Sequence, residues 1–363
     1  MITQDHAKSH TQPIVVKFVA RMPPDYTEHR FRRQLPDADS AWGRCRFVFD
    51  TKADNYDWLV VYHDLFRPRG SFTVETLHCP REKTILITTE PASITVYGKD
   101  YLLQYGTVIT SQESWVISHP NAVFTQPGLV WFYGFPTSGG RILSYDEMRA
   151  AQPPVKDKLI STVCSSKKGF LTLHSRRLRF TEQVKSAIPE LEIFGIGVNP
   201  MSDKAESLDP YQYHIIVENH VCPHHLTEKL PDAFLGYTLP FYHGSPNAAD
   251  YFPPESFIHI DMEDFKKSLD IIQNTIANNE YKDRLPYIIE ARRRVLEEHN
   301  IFARLERYIS KNDSRLSEKV HLGADEVIMD RYTLRAKKPL IGIRSLIEKG
   351  VTKARLKFLK RSD

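Results

Sequence analysis

Residues 213–229 read Tyr213-His-Ile-Ile-Val-Glu-Asn-His-Val-Cys-Pro-His-His-Leu-Thr-Glu-Lys229. An apolar, partly β-branched run ends in Glu218-Asn219, crosses a polar loop and regains order at Thr227-Glu228-Lys229. The pattern predicts a buried strand, a loop and a helix. Thr227 is a good N-cap, and Pro231 falls in the first turn, where proline is tolerated. A helix N-terminus offers unpaired N–H groups and a positive dipole end, which suit a phosphate. Lys229 adds a cation there, and Glu228 can accept hydrogen bonds from sugar hydroxyls. The same spacing also fits an ordinary strand–loop–helix with a solvated Glu-Lys pair.

Around this stretch, strand and helix alternate at short spacing. Leu159 to Cys164 predicts a strand, Ser165 to Gly169 a loop and Arg179 to Ile188 a helix. Leu191 to Gly197 and Thr238 to Tyr242 predict further strands, with a helix from Thr227 to Leu235 before the last of them. This alternation argues for a parallel sheet covered by helices, with ligands at the carboxyl ends of its strands. After Asp261 the pattern turns helical. Phe265, Leu269, Ile272 and Ile276 recur at steps of four and three, and Ile288, Val295, Phe302 and Leu305 continue less strictly. Upstream, Ile14 to Ala20, Trp58 to Tyr62, Thr84 to Thr88 and Ala122 to Phe124 read as strands of a first α/β unit whose helices are poorly marked. Pro136-Thr-Ser-Gly-Gly140 and Gln152-Pro-Pro-Val-Lys-Asp-Lys158 carry linker chemistry. The expected organisation is a first α/β unit over 1–150, a second over 151–330 and a basic tail over 331–363.

The central stretch resembles the signature of the family 10 glycosyltransferases, the α-1,3/1,4-fucosyltransferases. That signature is an apolar strand, Phe-Glu-Asn, seven residues, then Thr-Glu-Lys. Here Val217-Glu218-Asn219 is followed by seven residues and Thr227-Glu228-Lys229. Gly236-Tyr-Thr-Leu-Pro240, Tyr242-His-Gly-Ser-Pro246 and Phe252-Pro-Pro-Glu-Ser-Phe-Ile258 resemble later landmarks of the same family, in the same order. The similarity covers about residues 159–270 well and the N-terminal half loosely.

The resemblance implies a GT-B architecture: two Rossmann-like α/β domains facing a cleft, here with a helical basic C-terminal tail. It implies inverting transfer of L-fucose from GDP-fucose to a glycan hydroxyl, in α-1,3 or α-1,4 linkage, for surface polysaccharide or lipopolysaccharide. It implies no cofactor and no essential metal, with GDP-fucose as donor and a glycan as acceptor. Donor contacts carry over to Glu218, Asn219, Thr227, Glu228 and Lys229. The family places a diphosphate-binding arginine at the start of the helix after the first donor-domain strand. Ser175-Arg-Arg-Leu-Arg-Phe180 stands there, and its spacing to Phe180 and Val184 favours Arg177 over Arg176 and Arg179. An arginine fork matches a diphosphate. The family's base is a glutamate just after an N-terminal strand. Thr84-Ile-Leu-Ile-Thr-Thr-Glu-Pro91 places Glu90 there, with Asp64 of Val60-Val-Tyr-His-Asp64 as the second candidate.

Two departures stand out. Thr89 and Pro91 replace the glycine and asparagine that flank the family's glutamate, and His225 replaces a tyrosine that touches the donor. A related transferase using another nucleotide sugar shares every motif above, and a nucleotide- or glycan-binding protein without catalysis keeps the donor motif. Cys222, His224 and His225, with His220 and His243 nearby, do not follow a usual zinc spacing, so no metal site is expected.

The charge distribution is uneven. Residues 331–363 carry eleven Lys or Arg against two Asp or Glu, while the remaining residues carry 38 against 43. Lysines and arginines interleaved with Ile343, Leu346, Ile347, Val351 and Leu359 read as an amphipathic helix on an anionic membrane, as a solvated tail or as a helix docked on the N-terminal unit. No basic–aromatic pattern of a nucleic-acid module appears, so nucleic acid is not an expected partner. The polar start lacks an apolar signal core, and no run approaches the length of a membrane span. The four cysteines, Cys45, Cys79, Cys164 and Cys222, are far apart, which fits buried thiols in a reducing cytosol. The expected location is cytoplasmic, or peripheral on the inner membrane face.

Overall fold

A computed structural model describes residues 12–36, 40–164, 174–313 and 326–362 of the chain. In chain order, the first half contains β1 (Ile14–Ala20), α1 (Pro24–Arg32), β2 (Ala41–Trp42), β3 (Cys45–Val48), β4 (Trp58–Tyr62), β5 (Val74–Thr76), β6 (Thr84–Ile87), α2 (Lys99–Leu102), β7 (Thr107–Thr110) and β8 (Ala122–Phe124). The second half contains α3 (Tyr145–Ala150), β9 (Lys158–Val163), α4 (His174–Ala187), β10 (Glu192–Phe194), β11 (Tyr211–Val217), α5 (Lys229–Leu235), β12 (Leu239–His243), β13 (Ile258–His259), α6 (Phe265–Ala277) and α7 (Glu280–Glu297). The chain closes with α8 (Ile301–Asp313), β14 (Val327–Met329), α9 (Arg331–Lys337) and α10 (Pro339–Ser362).

Two sheets organise the molecule. The first runs β2-β3-β1-β4-β6-β7-β8, parallel except for the β2–β3 pair. The second runs β10-β9-β11-β12-β13 and is parallel throughout. In both, the first long strand lies between the second and the third, so a topological switch point falls beside it: β1 against β4, and β9 against β11. Doubly wound sheets bind ligands at this place, outside the carboxyl ends of the strands. The two-sheet α/β architecture expected from the sequence is the one observed.

Strand alternation sends the side chains of the first sheet into two separate cores. Val16, Phe18, Val60, Tyr62, Ile85 and Ile87 enter one, while Val19, Leu59, Val61, Leu86 and Val108 enter the other. The first core takes Phe31 from α1 and Ile301, Phe302, Leu305 and Ile309 from α8. Phe302 is fully buried, with its ring 4.6 Å from Phe47 and 5.7 Å from Phe18. The second core takes Tyr101 and Leu102 from α2, Ile328 from β14 and Leu334 from α9. β14 also pairs with β5 in a small antiparallel sheet.

The C-terminal unit therefore ends near residue 300, not at 330 as expected from the sequence. The chain crosses back there because the first sheet has too few helices of its own to cover both faces. The tail is helical, and one side of α10 docks on the first domain through the buried Ser345, Thr352 and Leu356. Arg344 pairs with Asp100 at 2.8 Å, Glu348 accepts from the Lys99 N–H at 3.1 Å, and Arg355 lies 4.4 Å from the Trp115 ring centre. No helix among the described residues is long and apolar enough to cross a membrane.

Phe302→Ala is expected to cost about 3–5 kcal/mol, because it empties a fully packed aromatic site under the first sheet. Urea denaturation monitored by tryptophan fluorescence measures this. A loss below about 1 kcal/mol would show that α8 is not part of the first core.

Candidate functional site

The loops after β1, β4 and β6 face the loop after β11 across a cavity of about 800 Å³. From the first domain its wall includes Arg21, His63 and Glu90, and from the second Asn219, His225, Thr227, Glu228 and Lys229. These residues stand at the strand ends where the switch points open. Glu90 is partly buried, and burial pushes its carboxyl above the ordinary value. Glu228 across the cavity pushes the same way, while Arg21, Lys229 and Arg331 pull less strongly against it. Such a carboxylate has a raised affinity for a proton. That is useful in a general base only while some of it stays ionised at the working pH.

Asp64 is differently placed. It is buried, accepts from the Tyr101 hydroxyl at 2.8 Å and pairs with the Arg331 guanidinium at 2.8 Å. Its carboxylate faces away from the large cavity. The structure thus separates the two candidate bases: Glu90 faces the cavity and Asp64 serves a salt bridge.

Behind the opposite wall lies a buried ion pair. Glu218 is fully buried at the end of β11. One of its oxygens accepts from the Thr227 hydroxyl at 2.6 Å and the Thr227 N–H at 3.2 Å. The other meets Lys229 Nζ at 2.5 Å. Burial pushes the Glu218 carboxyl up, but Lys229, His225 and the Thr227 hydrogen bond together more than offset this, so the group sits below the ordinary carboxylate value. Burial pulls Lys229 down, and Glu218 and then Glu228 more than reverse it. Glu218 therefore does not face the ligand space. It clamps Thr227 and aims Lys229.

The glycine of Tyr242-His-Gly-Ser-Pro246 serves the same clamp. A Cβ on Gly244 would come within 2.7 Å of Glu218 Cγ and collide with the Tyr242 ring. The Tyr242 hydroxyl in turn accepts from the Ser245 N–H at 2.9 Å.

Thr227 is not the N-cap that its sequence position suggests. The helix starts at Lys229 with Glu228 in the capping position; the Thr227 hydroxyl donates to Glu218 and accepts a long hydrogen bond from the Lys229 N–H at 3.4 Å. α5 is only seven residues long, so its dipole adds little. Arg177 is buried in α4, which starts at His174, earlier than the periodicity suggested. It donates to Asn219 Oδ1 at 3.1 Å, and its Nε has no partner among the described residues. It stands behind Asn219 and does not line the cavity. Arg176 is exposed and pairs with Glu263, and Arg179 is exposed. The expected loop Ser165 to Gly169 lies outside the described residues.

The loop histidines hold the two domains together. His225 is buried and shares a hydrogen bond with the Ser111 hydroxyl at 3.0 Å, and burial lowers its pKa to about 4. It is therefore a neutral ring at the cavity wall. His220 meets Glu113 at 3.1 Å, and the Cys222 thiol donates to the Ser111 carbonyl at 3.5 Å. His224, at φ 66°, turns away toward Tyr251 and Asn247. Glu113, His220 and Cys222 bring donor atoms within 4.8 Å of one another. This is a set that can hold a metal, and sequence spacing could not reveal it because Glu113 comes from the other domain. All four cysteines are buried free thiols.

Apart from Glu90, sequence reasoning missed the first-domain part of the wall. His63 accepts at Nε2 from Arg331 at 2.9 Å and from Arg21 at 3.2 Å, while its Nδ1 lies 2.6 Å from the Thr89 hydroxyl. Burial, then Arg331 and Arg21, lower its pKa to about 3, so it stays neutral. Its left-handed φ of 71° is unusual for a non-glycine residue and marks an over-determined position. Its place directly after the strand ending at Tyr62 was the only signal for it in the sequence.

Residues 153–283 match the sequence model of glycosyltransferase family 10 (fucosyltransferase), C-terminal part. Among similar proteins is the α-(1,3)-fucosyltransferase FucT of Helicobacter pylori, 35% identical over 92 residues, 25% of this chain and 19% of that protein. Another is the 4-galactosyl-N-acetylglucosaminide 3-α-L-fucosyltransferase FUT6 of Pongo pygmaeus, 29% identical over 106 residues, 28% of each chain. The matched part thus spans from 19% to 28% of the length of these curated relatives. Among solved structures, an α1,3-fucosyltransferase with GDP-fucose aligns over 83% of this chain and 95% of its own, at 17% identity and a TM-score of 0.46.

Lys229→Ala leaves the Glu218 carboxylate buried and unpaired, and is expected to cost about 3 kcal/mol. The pair Glu218→Gln with Lys229→Met removes both charges and is expected to recover most of that loss. Equal stability of Lys229→Ala and wild type in urea would rule out the clamp.

Proposed function

We propose that this chain, whose residues 153–283 match the sequence model of the family 10 glycosyltransferase C-terminal part, transfers L-fucose from GDP-fucose to a hydroxyl of a glycan acceptor, inverting the anomeric carbon. The observation that carries this reading is the convergence on one cavity of Glu90 from the first domain and Glu228 and Lys229 from the second. The acceptor hydroxyl is a weak nucleophile until a carboxylate takes its proton. Glu90 is the group placed to do so. As the bond from sugar to diphosphate breaks, negative charge grows on the leaving oxygen. Lys229, held by Glu218, and Arg177, reaching through Asn219, oppose that charge. Asn219, Thr227, Glu228 and His225 form the remaining donor contacts. His225 offers a neutral imidazole where the family has a tyrosine, so the donor sugar meets a smaller ring there. No cofactor and no essential metal take part in this scheme. Donor and base come from different domains, so closure of the cleft precedes reaction.

The docked tail supports a finer reading of location. The outward side of α10 carries exposed Leu340, Ile343, Leu346, Ile347 and Val351, beside the exposed Lys349, Lys353 and Lys357. An apolar stripe flanked by lysines suits the surface of an anionic membrane. An enzyme held there reaches lipid-linked surface glycans, including lipopolysaccharide, from the cytoplasmic side. Leu346→Glu with Ile347→Glu is expected to abolish co-sedimentation with phosphatidylglycerol vesicles and to leave solubility intact. Equal pelleting of this variant and wild type would refute the membrane contact.

Incubation with a panel of nucleotide sugars tests the donor reading. GDP-fucose is expected to be the sugar nucleotide consumed, and Lys229→Ala to lower consumption at least about 100-fold. Consumption of another sugar nucleotide would move the donor assignment to a related transferase with His225 as the differing contact. Binding without turnover of any of them would favour a nucleotide- or glycan-binding protein.

Glu90→Gln is expected to lower transfer at least about 100-fold and to raise Tm at neutral pH. The sign follows from linkage: the folded-state pKa of Glu90 is raised, so its contribution is favourable below the ordinary glutamate value and is lost as pH rises through the raised one. The Tm advantage of Glu90→Gln should therefore shrink toward pH 4. An unchanged rate in this variant would remove Glu90 as the base.

A further inference from the structure

A second cavity, of about 270 Å³, adjoins the first and shares Arg21 with it. It opens beside the carboxyl ends of β1 and β4, at the switch point of the first sheet. Its charged wall is Arg21, Arg67, Arg331 and Arg335, with Asp64 and Asp330 as the acidic members. Four guanidinium groups thus face two carboxylates. Asp64 is committed to Arg331 at 2.8 Å, and Asp330, itself buried, lies 3.6 Å from Arg67. Among the described residues Arg21 and Arg335 form no ion pair.

The geometry concentrates this surplus. Arg21 and Arg331 both donate to one nitrogen of the neutral His63 ring, at 3.2 and 2.9 Å. Two cations therefore share one uncharged acceptor. Arg335 follows Arg331 by one helical turn on α9 and is half-buried. Like charges held this close in a partly desolvated site are unfavourable unless an anion enters between them. The guanidinium fork fits a carboxylate or phosphate in two parallel hydrogen bonds. A volume of about 270 Å³ suits one sugar ring with its substituent better than a nucleotide. The site also lies close to the proposed base, since Arg21 and Arg331 both act electrostatically on Glu90.

We propose that this arginine-lined cavity is an acceptor subsite, and that the acceptor glycan carries a carboxylate or phosphate next to the sugar whose hydroxyl is presented to Glu90. The proposal deepens the transferase reading by naming the chemical class of the acceptor, and it rests on that reading. The anionic group anchors one ring among the arginines, and the neighbouring ring extends past Arg21 into the larger cavity. Arg67 is braced by stacking, with its guanidinium 4.2 Å from the Tyr332 ring centre, so the fork is partly ordered before any ligand arrives.

Isothermal titration of the full chain with three matched disaccharides tests this. One ends in glucuronic acid, one in glucose 6-phosphate and one in glucose. An acidic disaccharide is expected to bind at least about tenfold more tightly than the neutral one. The comparison of the two acidic compounds tells carboxylate from phosphate. The preference is expected to fall below about twofold in Arg335→Gln and in wild type at about 0.5 M salt, with GDP affinity retained. Equal affinity for all three compounds overturns the proposal. Displacement of the acidic disaccharide by GDP also overturns it, because the arginines would then belong to the donor. Binding of these compounds does not depend on turnover, whereas GDP-fucose hydrolysis without acceptor reports on the donor reading alone. Failure of one is therefore distinguishable from failure of the other.

Discussion

A parallel sheet must be covered on both faces, because its strands are apolar on each side and its crossovers run over both. The second sheet meets this demand with helices that lie next to its strands in sequence. The first does not. Its own helices, α1 and the four-residue α2, are too short to cover a sheet of seven strands. The deficit is made up from the far end of the chain: α8 closes one face, and β14 with α9 closes the other. This one requirement explains why the chain crosses back near residue 300. It also explains why a basic tail, unremarkable as a sequence, ends docked beside the cleft with Arg331 and Arg335 at the mouth of a strand switch point.

The second constraint is the buried carboxylate of Glu218. A charge at the end of a central strand is tolerated only with partners, and here the partners come from the loop that follows. Thr227 and Lys229 fold back on it, and Gly244 permits the close approach. The loop between them is therefore not free to vary in path. It carries His220, Cys222 and His225 across to Glu113 and Ser111 of the other domain. One ion pair thus fixes both the cation at the cavity wall and the contact surface between the two halves.

Neutral histidines recur in this framework. His63, His214 and His225 are buried and His299 is partly buried, and all four have pKa values lowered chiefly by burial. Each favours the folded state above the ordinary histidine value and opposes it once the unfolded chain takes up protons below that value. The cleft holds two of them, His63 and His225.

The sequence alone determined whatever depends on neighbours along the chain. The second sheet, the strand end at Glu218, the Thr-Glu-Lys turn and the glycine and proline landmarks were legible because periodicity and turn chemistry are local. So was Glu90, which simply follows an apolar strand. Only the tertiary structure decided the rest. It turned Glu218 from a cavity-facing group into a clamp, and put Arg177 behind Asn219. It tied Asp64 to Arg331, 267 residues away, and His225 to Ser111, 114 residues away. It also drew residues 301–313 into the first core, across the boundary expected at 330. These outcomes share one physical reason: each is fixed by burial against, or ion pairing with, a partner distant in sequence, and such a partner leaves no periodic signal at the position it governs.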